Sequence, residues 1–267
     1  MNPIEERVRE SVSFIREHTT SSPQIAIVLG SGLGDFADAL PAGTTISTRD
    51  IPHYPRSSVE GHKGRLLFSS VHDKDILAFQ GRVHFYESNS IETVLYPIKV
   101  AHGLGVSVLL VTNAAGGVNR SFAAGDLMII TDQINCTGLS SISNRDKKNQ
   151  GSPLYSSRLV TIASDVAEKE GISVRKGVYL GLKGPSYETA SEVEMVHRIG
   201  GDAVGMSTVL EVSLASELGM EVLGISCITN LGTGIGRNKL SHTEVTEVGN
   251  RVKKTFARLV SSVLGRI

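Results

Sequence analysis

Residues 25–34 read Ile25-Ala26-Ile27-Val28-Leu29-Gly30-Ser31-Gly32-Leu33-Gly34. Five apolar residues end directly in a glycine-rich turn, the pattern of a strand buried on both faces. Short apolar runs of this kind recur at Arg65–Phe68, Ile76–Phe79, Val106–Val111, Leu127–Ile130, Gly177–Leu180, Ala203–Met206 and Val222–Ser226. Helical spacing separates several of them, at Ile91–Leu104, Leu159–Glu170, Glu188–Ile199 and Val209–Leu218. The chain opens on Ile4, Val8, Val12 and Ile15 at helical spacing, behind Asn2 and Pro3, which suit N-cap and N1. It closes on a helix predicted from Ser241, where Ser241-His242-Thr243-Glu244 fits a capping box. Strands alternating with helices predict an α/β layered architecture. No Pro- or Ser-rich linker and no internal repeat divides the chain, so a single domain over residues 1–267 is expected. The most polar stretch, Ser140–Ser157, reads as an exposed loop.

Charge narrows the function classes. The 27 Lys and Arg balance 27 Asp and Glu. A balanced chain has no long-range pull toward nucleic acid or an anionic membrane, so neither is expected as a partner. Any anion it binds must be held by local geometry. Cys136 and Cys227 stand far apart and no histidine pair has ligand spacing, so no metal site is expected. The start, MNPIEERVRE, mixes acids with bases unlike a secretory leader, and a cytoplasmic protein is expected.

Several stretches carry polar residues at strand ends. In Gly30–Gly34 the backbone N–H groups and the Ser31 hydroxyl can converge on an anion, or the glycines can simply make a strand-to-helix turn. In Gln80-Gly81-Arg82-Val83-His84-Phe85-Tyr86-Glu87, an extended chain projects Arg82, His84 and Tyr86 from one side and Val83 and Phe85 from the other. Guanidinium, imidazole and phenol in register suit an oxyanion beside a hydroxylated substrate. Thr112-Asn113-Ala114-Ala115-Gly116-Gly117 is small enough for close approach to a ligand, and equally reads as a tight turn. Glu188, in Gly184-Pro185-Ser186-Tyr187-Glu188-Thr189, stands where a helix N-terminus selects an acid for capping. Gly205-Met206-Ser207-Thr208 and Thr229-Asn230 complete the strand-end loops, His62 sits in Gly61–Gly64, and His242 opens the last helix. In open α/β sheets such loops collect a ligand at the carboxyl ends of strands.

Taken in order, GSGLG, VEGHKGRLLF, QGRVHFYE, VTNAAGG, GPSYET, AVGMSTVLEV, CITN and SHTEV span most of the chain and resemble the trimeric purine nucleoside phosphorylases. The resemblance implies a central mixed β-sheet flanked by helices in one domain, and a homotrimer. It implies reversible phosphorolysis of inosine, guanosine and their deoxy forms to a free purine and (deoxy)ribose 1-phosphate. Phosphate is then a co-substrate and no cofactor is required. By matched motif, Ser31, His62, Arg82, His84, the Ala114 backbone N–H and Ser207 resemble the phosphate cradle. Tyr86 and Met206 resemble the sugar contacts and His242 the partner of the 5′-hydroxyl. Tyr187 resembles the family's aromatic lining the base, and Glu188 and Asn230 its polar edge readers; His84, Glu188, Asn230 and His242 form the catalytic set that the resemblance implies. Related enzymes that cleave methylthioadenosine carry Asp where Asn230 stands and lack the Glu of GPSYET.

The chain departs from the family at two places. From Asn144 to Ser157 the polar stretch is shorter, and it reads Gly151-Ser152-Pro153-Leu154-Tyr155-Ser156-Ser157 where the family lends an aromatic to the neighbouring subunit's sugar pocket. Either Tyr155 substitutes or that lid is missing, and a catalytically weak nucleoside- or phosphate-binding homologue is the alternative this leaves. Tyr86-Glu87 is followed by Ser88-Asn89 instead of Gly-Tyr.

Overall fold

The computed structural model describes residues 3–59, 61–140, 153–236 and 242–267, with 242–245 given by backbone alone. In chain order the elements are α1 (Pro3–His18), β1 (Ile25–Leu29), α2 (Asp35–Asp38), β2 (Thr44–Ser47), β3 (Arg65–Val71), β4 (Lys74–Gln80), α3 (Phe85–Ser88), α4 (Ile91–Gly103), β5 (Val108–Gly117), β6 (Leu127–Asn135), α5 (Ser157–Lys169), β7 (Val174–Gly181), α6 (Ala190–Arg198), β8 (Ala203–Gly205), α7 (Val209–Glu217), β9 (Glu221–Leu231) and α8 (His242–Leu264). The nine strands of the described residues belong to one mixed sheet in the order β2-β3-β4-β1-β5-β8-β7-β6-β9, and β9 also pairs with β5. That extra pairing closes β5, β8, β7, β6 and β9 into a ring, with β2 at the sheet's open edge. The expected mixed sheet flanked by helices is therefore found.

Alternation of side chains explains why β1 is apolar throughout. Ile25, Ile27 and Leu29 point into a core with α2, α5 and α8, while Ala26 and Val28 point into a second core with α1, α4 and α7. Phe36 and Phe256 meet edge to face at 5.9 Å where α2 crosses α8. A third, smaller core packs Val193 and Val196 of α6 onto Leu180 and Val204.

The structure differs from the sequence reading at several element boundaries. Val106–Val111 predicts a strand and Thr112–Gly117 a turn, but β5 runs unbroken through Gly117. Its ladder with β9 carries a register shift between Ala115 and Gly116, and a bulge of that kind re-aims the side chains that follow. β9 likewise extends past Ser226 to Leu231, so Thr229 and Asn230 lie within the strand. The four-residue β2 has no apolar run to announce it: only Ile46 is buried. Asn2 and Ser241 fall outside the described residues. Among the described residues, no helix is long and apolar enough to cross a membrane.

Candidate active site

Because β1 runs parallel to β4 and β5, and β5 parallel to β9, the carboxyl ends of these four strands share one side of the sheet. A cleft of about 780 Å³ opens there. Ser31 follows β1, Arg82 follows β4, Ala114 lies on β5 and Asn230 on β9, and all four line it. β8 runs antiparallel to β5 and meets it at Gly116 and Gly117, which returns Met206 and Ser207 to the same opening. Gly30 permits the walls to meet: a Cβ on it would lie 2.7 Å from the Asn113 Cα.

One end of the cleft is rich in donors. Arg82 is buried, and its Nη1 donates to Ser207 Oγ at 2.7 Å and Thr208 Oγ1 at 3.0 Å, while Nη2 donates to the Thr112 carbonyl. Arg82 Nε–H finds no hydrogen-bond partner among the described residues. Glu211, equally buried, places Oε2 3.3 Å from Arg82 Nη1 and accepts the Thr208 N–H at 2.9 Å. Rings of His62, His84 and Tyr86 stack in a column with centroid separations of 5.6 and 5.0 Å. Below the column Glu87 accepts the His84 backbone N–H at 2.6 Å and contacts His84 Nδ1 at 3.0 Å. A carboxylate against Nδ1 fixes the proton there and leaves Nε2 as the nitrogen available elsewhere. Burial pushes the Glu87 carboxyl up, but the hydrogen bonds from His84 and Ser58 outweigh it and bring its pKa down to about 2. His62 contacts Ser31 Oγ through Nε2 at 3.3 Å and the Arg82 carbonyl through Nδ1 at 2.8 Å. Burial and then the facing His84 push the His62 pKa down to about 4, so this imidazole is neutral at physiological pH. Burial, with Glu87 adding to it, lifts the Tyr86 phenol to about 12, so it stays a neutral hydroxyl.

Tyr187, Glu188 and Asn230 also line the cleft. Glu188 is 8% exposed, and Oε1 is buried without a partner among the described residues. Burial raises its pKa; its own backbone N–H opposes that, and Glu192 adds to it. The helix beyond does not need Glu188, because Thr189 and Glu192 cap it reciprocally, with Thr189 N–H donating to Glu192 Oε2 at 2.7 Å. The capping role that the sequence offers Glu188 is thus filled by its neighbours. Asn230 Oδ1 accepts from Thr229 Oγ1 at 3.0 Å and Nδ2 donates to the Leu231 carbonyl at 3.3 Å, which leaves the second amide hydrogen for a ligand. Pairing of β9 with β5 sets Asn230 against Gly116, where a Cβ would stand 3.3 Å from Nδ2. One cleft therefore combines an unpartnered acceptor, an amide donor and the Tyr187 ring with the donor-rich cradle around Arg82.

The profile of the Phosphorylase superfamily matches residues 24–265. Purine nucleoside phosphorylase 1 of Bacillus subtilis (strain 168) is 44% identical, over 98% of this chain and 99% of its own length. The same enzyme of Geobacillus stearothermophilus is 46% identical over 96% of both. The chain belongs to the purine nucleoside phosphorylases. Among solved members of the family, the Schistosoma mansoni enzyme in complex with adenosine superposes with a TM-score of 0.90 at 35% identity, over 98% of this chain and 97% of that one. Another structure of that enzyme holds inosine.

Of the residues that the phosphorylase resemblance singles out, the cleft gathers Ser31, Arg82, His84, Tyr86, Ala114, Tyr187, Glu188, Met206, Ser207 and Asn230. His62 stands behind this wall, joined to it through Ser31 and the ring stack. His242 begins α8, and its side chain lies outside the described residues. Arg82, His84 and Tyr86 do converge, though not along an extended chain: His84 is the last extended residue, and α3 starts at Phe85. One helical turn then lays the Tyr86 ring on His84. The Ser88-Asn89 departure has a local reason, since Asn89 closes α3 at φ 52° with its N–H on the Phe85 carbonyl, a left-handed position that Asn tolerates.

Tyr155 does not supply the missing aromatic. It is 1% exposed, packs into the α1–α4–α7 core, and its hydroxyl donates to Gln133 Oε1 at 3.0 Å. Its ring has no face to offer a neighbouring subunit. Ser152 and residues 141–151 lie outside the described residues. Sequence reasoning passed over Glu211 and gave Asn113 and Thr208, quoted only within their loops, no role of their own; the three tie the donors around Arg82 together. The Thr208-x-x-Glu211 spacing of a capping box was the available signal.

Proposed function

We propose that the chain catalyses reversible phosphorolysis of 6-oxopurine nucleosides, inosine and guanosine with their deoxy forms, as one phosphorylase domain over residues 1–267 of a cytoplasmic homotrimer. The observation that carries this reading is the presence, in one cleft, of an anion cradle together with a buried acceptor and an amide. Ser31, His62, Arg82, His84, Ser207 and the Ala114 backbone hold phosphate; Tyr86, Met206 and His242 contact the sugar; Tyr187, Glu188 and Asn230 hold the base.

In the reaction the bond from C1′ to the purine nitrogen breaks, with its electron pair leaving on the purine, and a phosphate oxygen bonds to C1′. The proton carried by hydrogen phosphate balances the one gained by the purine, so no other reactant is consumed. Positive charge grows on the sugar and negative charge on the base. A dianion seated beneath C1′ stabilises the first and is also the nucleophile, already in position. The spare Asn230 N–H stabilises the second at purine N7 or O6. Ionised Glu188 accepts only, which suits the N1–H of hypoxanthine and guanine and the 2-amino group of guanine. Adenine presents a lone pair at N1. That mismatch costs about 1–3 kcal/mol in a buried site and acts on turnover.

The test is hypoxanthine release from inosine with and without phosphate. Strict dependence on phosphate is expected, with ribose 1-phosphate formed in equal amount. Turnover that ignores phosphate marks a hydrolase and overturns the reading.

A further inference from the structure

We infer that Glu211 is a positioning residue that limits how tightly the cleft holds phosphate, acting through Arg82 and the turn at Thr208. The inference rests on the functional reading above and adds a residue to it. Among the described residues, Arg82 is the only Lys or Arg lining the cleft. Its charge does not face the cleft unopposed. Glu211 Oε2 lies 3.3 Å from Nη1, and the two side chains are 5% and 3% exposed, so little water screens the pair. His62 is neutral, so it adds no second positive charge behind Ser31.

The same carboxylate shapes the backbone. Thr208 has φ 77° and ψ −55°, and the Val209 N–H reaches back to the Ser207 carbonyl at 2.9 Å. This is a γ-turn in a region that β-branched residues rarely enter, and it persists only where its surroundings over-determine it. They do so here. Glu211 takes the Thr208 N–H, while Thr208 Oγ1 accepts from Arg82 Nη1 and from Asn113 Nδ2 at 2.9 Å. The turn presents Ser207 Oγ to Arg82 at 2.7 Å. A helix cap alone would need only the bond to Thr208. The approach to Arg82 is additional, and it brings the pair's net charge close to zero.

An arriving dianion is therefore held mainly by hydrogen bonds and not by net charge. Its affinity is restrained, and its negative charge stays available to the sugar. Glu211→Gln keeps the length and the acceptor for Thr208 but removes the charge, and Glu211→Asp draws the charge back from Arg82. The measurement is the KM for phosphate at saturating inosine, with the KM for inosine at saturating phosphate as its control. Removing one repelling charge behind the site lowers the phosphate KM by roughly five- to fiftyfold in the Gln variant, with Asp intermediate, and leaves the inosine KM within about twofold. A purely structural role predicts the opposite direction, weaker phosphate in both variants. Phosphate KM values that are flat or raised overturn the inference, and because either variant alone reports the direction, loss of one to misfolding leaves the test intact. If wild-type enzyme neither binds phosphate nor releases hypoxanthine, the functional reading itself falls. If it does both while the variants keep its phosphate KM, only the role of Glu211 falls.

Discussion

Replacing Glu188 by Gln should separate stability from catalysis in a way that burial alone dictates. Glu188 is 8% exposed, with Oε1 unpartnered. In the proposed complex it accepts the purine N1–H, a hydrogen bond to a charged group worth about 1.5–3 kcal/mol. At about 1.36 kcal/mol per decade, losing it lowers kcat/KM for inosine roughly 10- to 150-fold. Adenosine has no N1–H, and the Gln amide can donate to its N1 lone pair, so kcat/KM for adenosine should hold or rise. The unliganded fold responds with the opposite sign. Burial raises the folded pKa of Glu188 above its unfolded value. Its contribution to stability is therefore present below the unfolded pKa and is lost as pH rises through the folded one. At pH 7 the buried carboxylate is a cost that Gln lacks, so the Tm of Glu188→Gln should equal or exceed that of the parent. The gap should close in acid. Paired kinetics on inosine and adenosine, with thermal unfolding at pH 7 and pH 4, read all of this at once. Equal losses on both nucleosides, or a lower Tm at pH 7, would refute the account of Glu188 as an unpartnered base reader.

Three further outcomes are expected. Asn230→Asp replaces a donor by an acceptor and should lower inosine turnover about tenfold or more while raising the relative use of adenosine; an unchanged ratio removes Asn230 from base reading. His62, with its pKa down at about 4, takes up its proton in the unfolded chain first, so the stability tied to it is present above about pH 6.5 and lost as pH falls toward 4. Tm measured across that window should fall less steeply in His62→Asn than in the parent. Tyr155→Phe removes a buried hydrogen bond to Gln133 and should cost about 0.5–1.5 kcal/mol in chemical denaturation. The inosine KM should not change, whereas a raised KM would restore Tyr155 to the sugar pocket.

Apolar runs located most of the secondary structure, because the central strands are buried on both faces and have no alternation to disguise them. That signal stops where the site begins. Val111 ends the apolar run of β5, and on β9 only Cys227 and Ile228 follow Ser226 before the polar Thr229 and Asn230, yet both ladders continue through Asn113 and Asn230. Hydropathy cannot follow a strand into its own active site. The site residues were legible as motifs, but their geometry was not: Arg82, His84 and Tyr86 come together through a single turn of helix that one-residue alternation does not foresee. Glu211 was hidden differently. It sits in Val209-Leu210-Glu211-Val212-Ser213-Leu214, a helix buried on nearly every side, where the cap on Thr208 explains an acid but only the fold shows its pairing with a distant arginine.

The closure of β5, β8, β7, β6 and β9 has a consequence for how the enzyme should fail. The strands bearing Ala114 and Asn230 are paired on both sides where they enter the sheet, β5 at Val108–Val111 and β9 at Gly224–Cys227, so neither presents a hem there from which unzipping can start. Amide deuteration along Val108–Val111 and Gly224–Cys227 then requires opening on the scale of the whole domain. On warming, catalysis and architecture should disappear in the same transition, with no inactive but folded species between them.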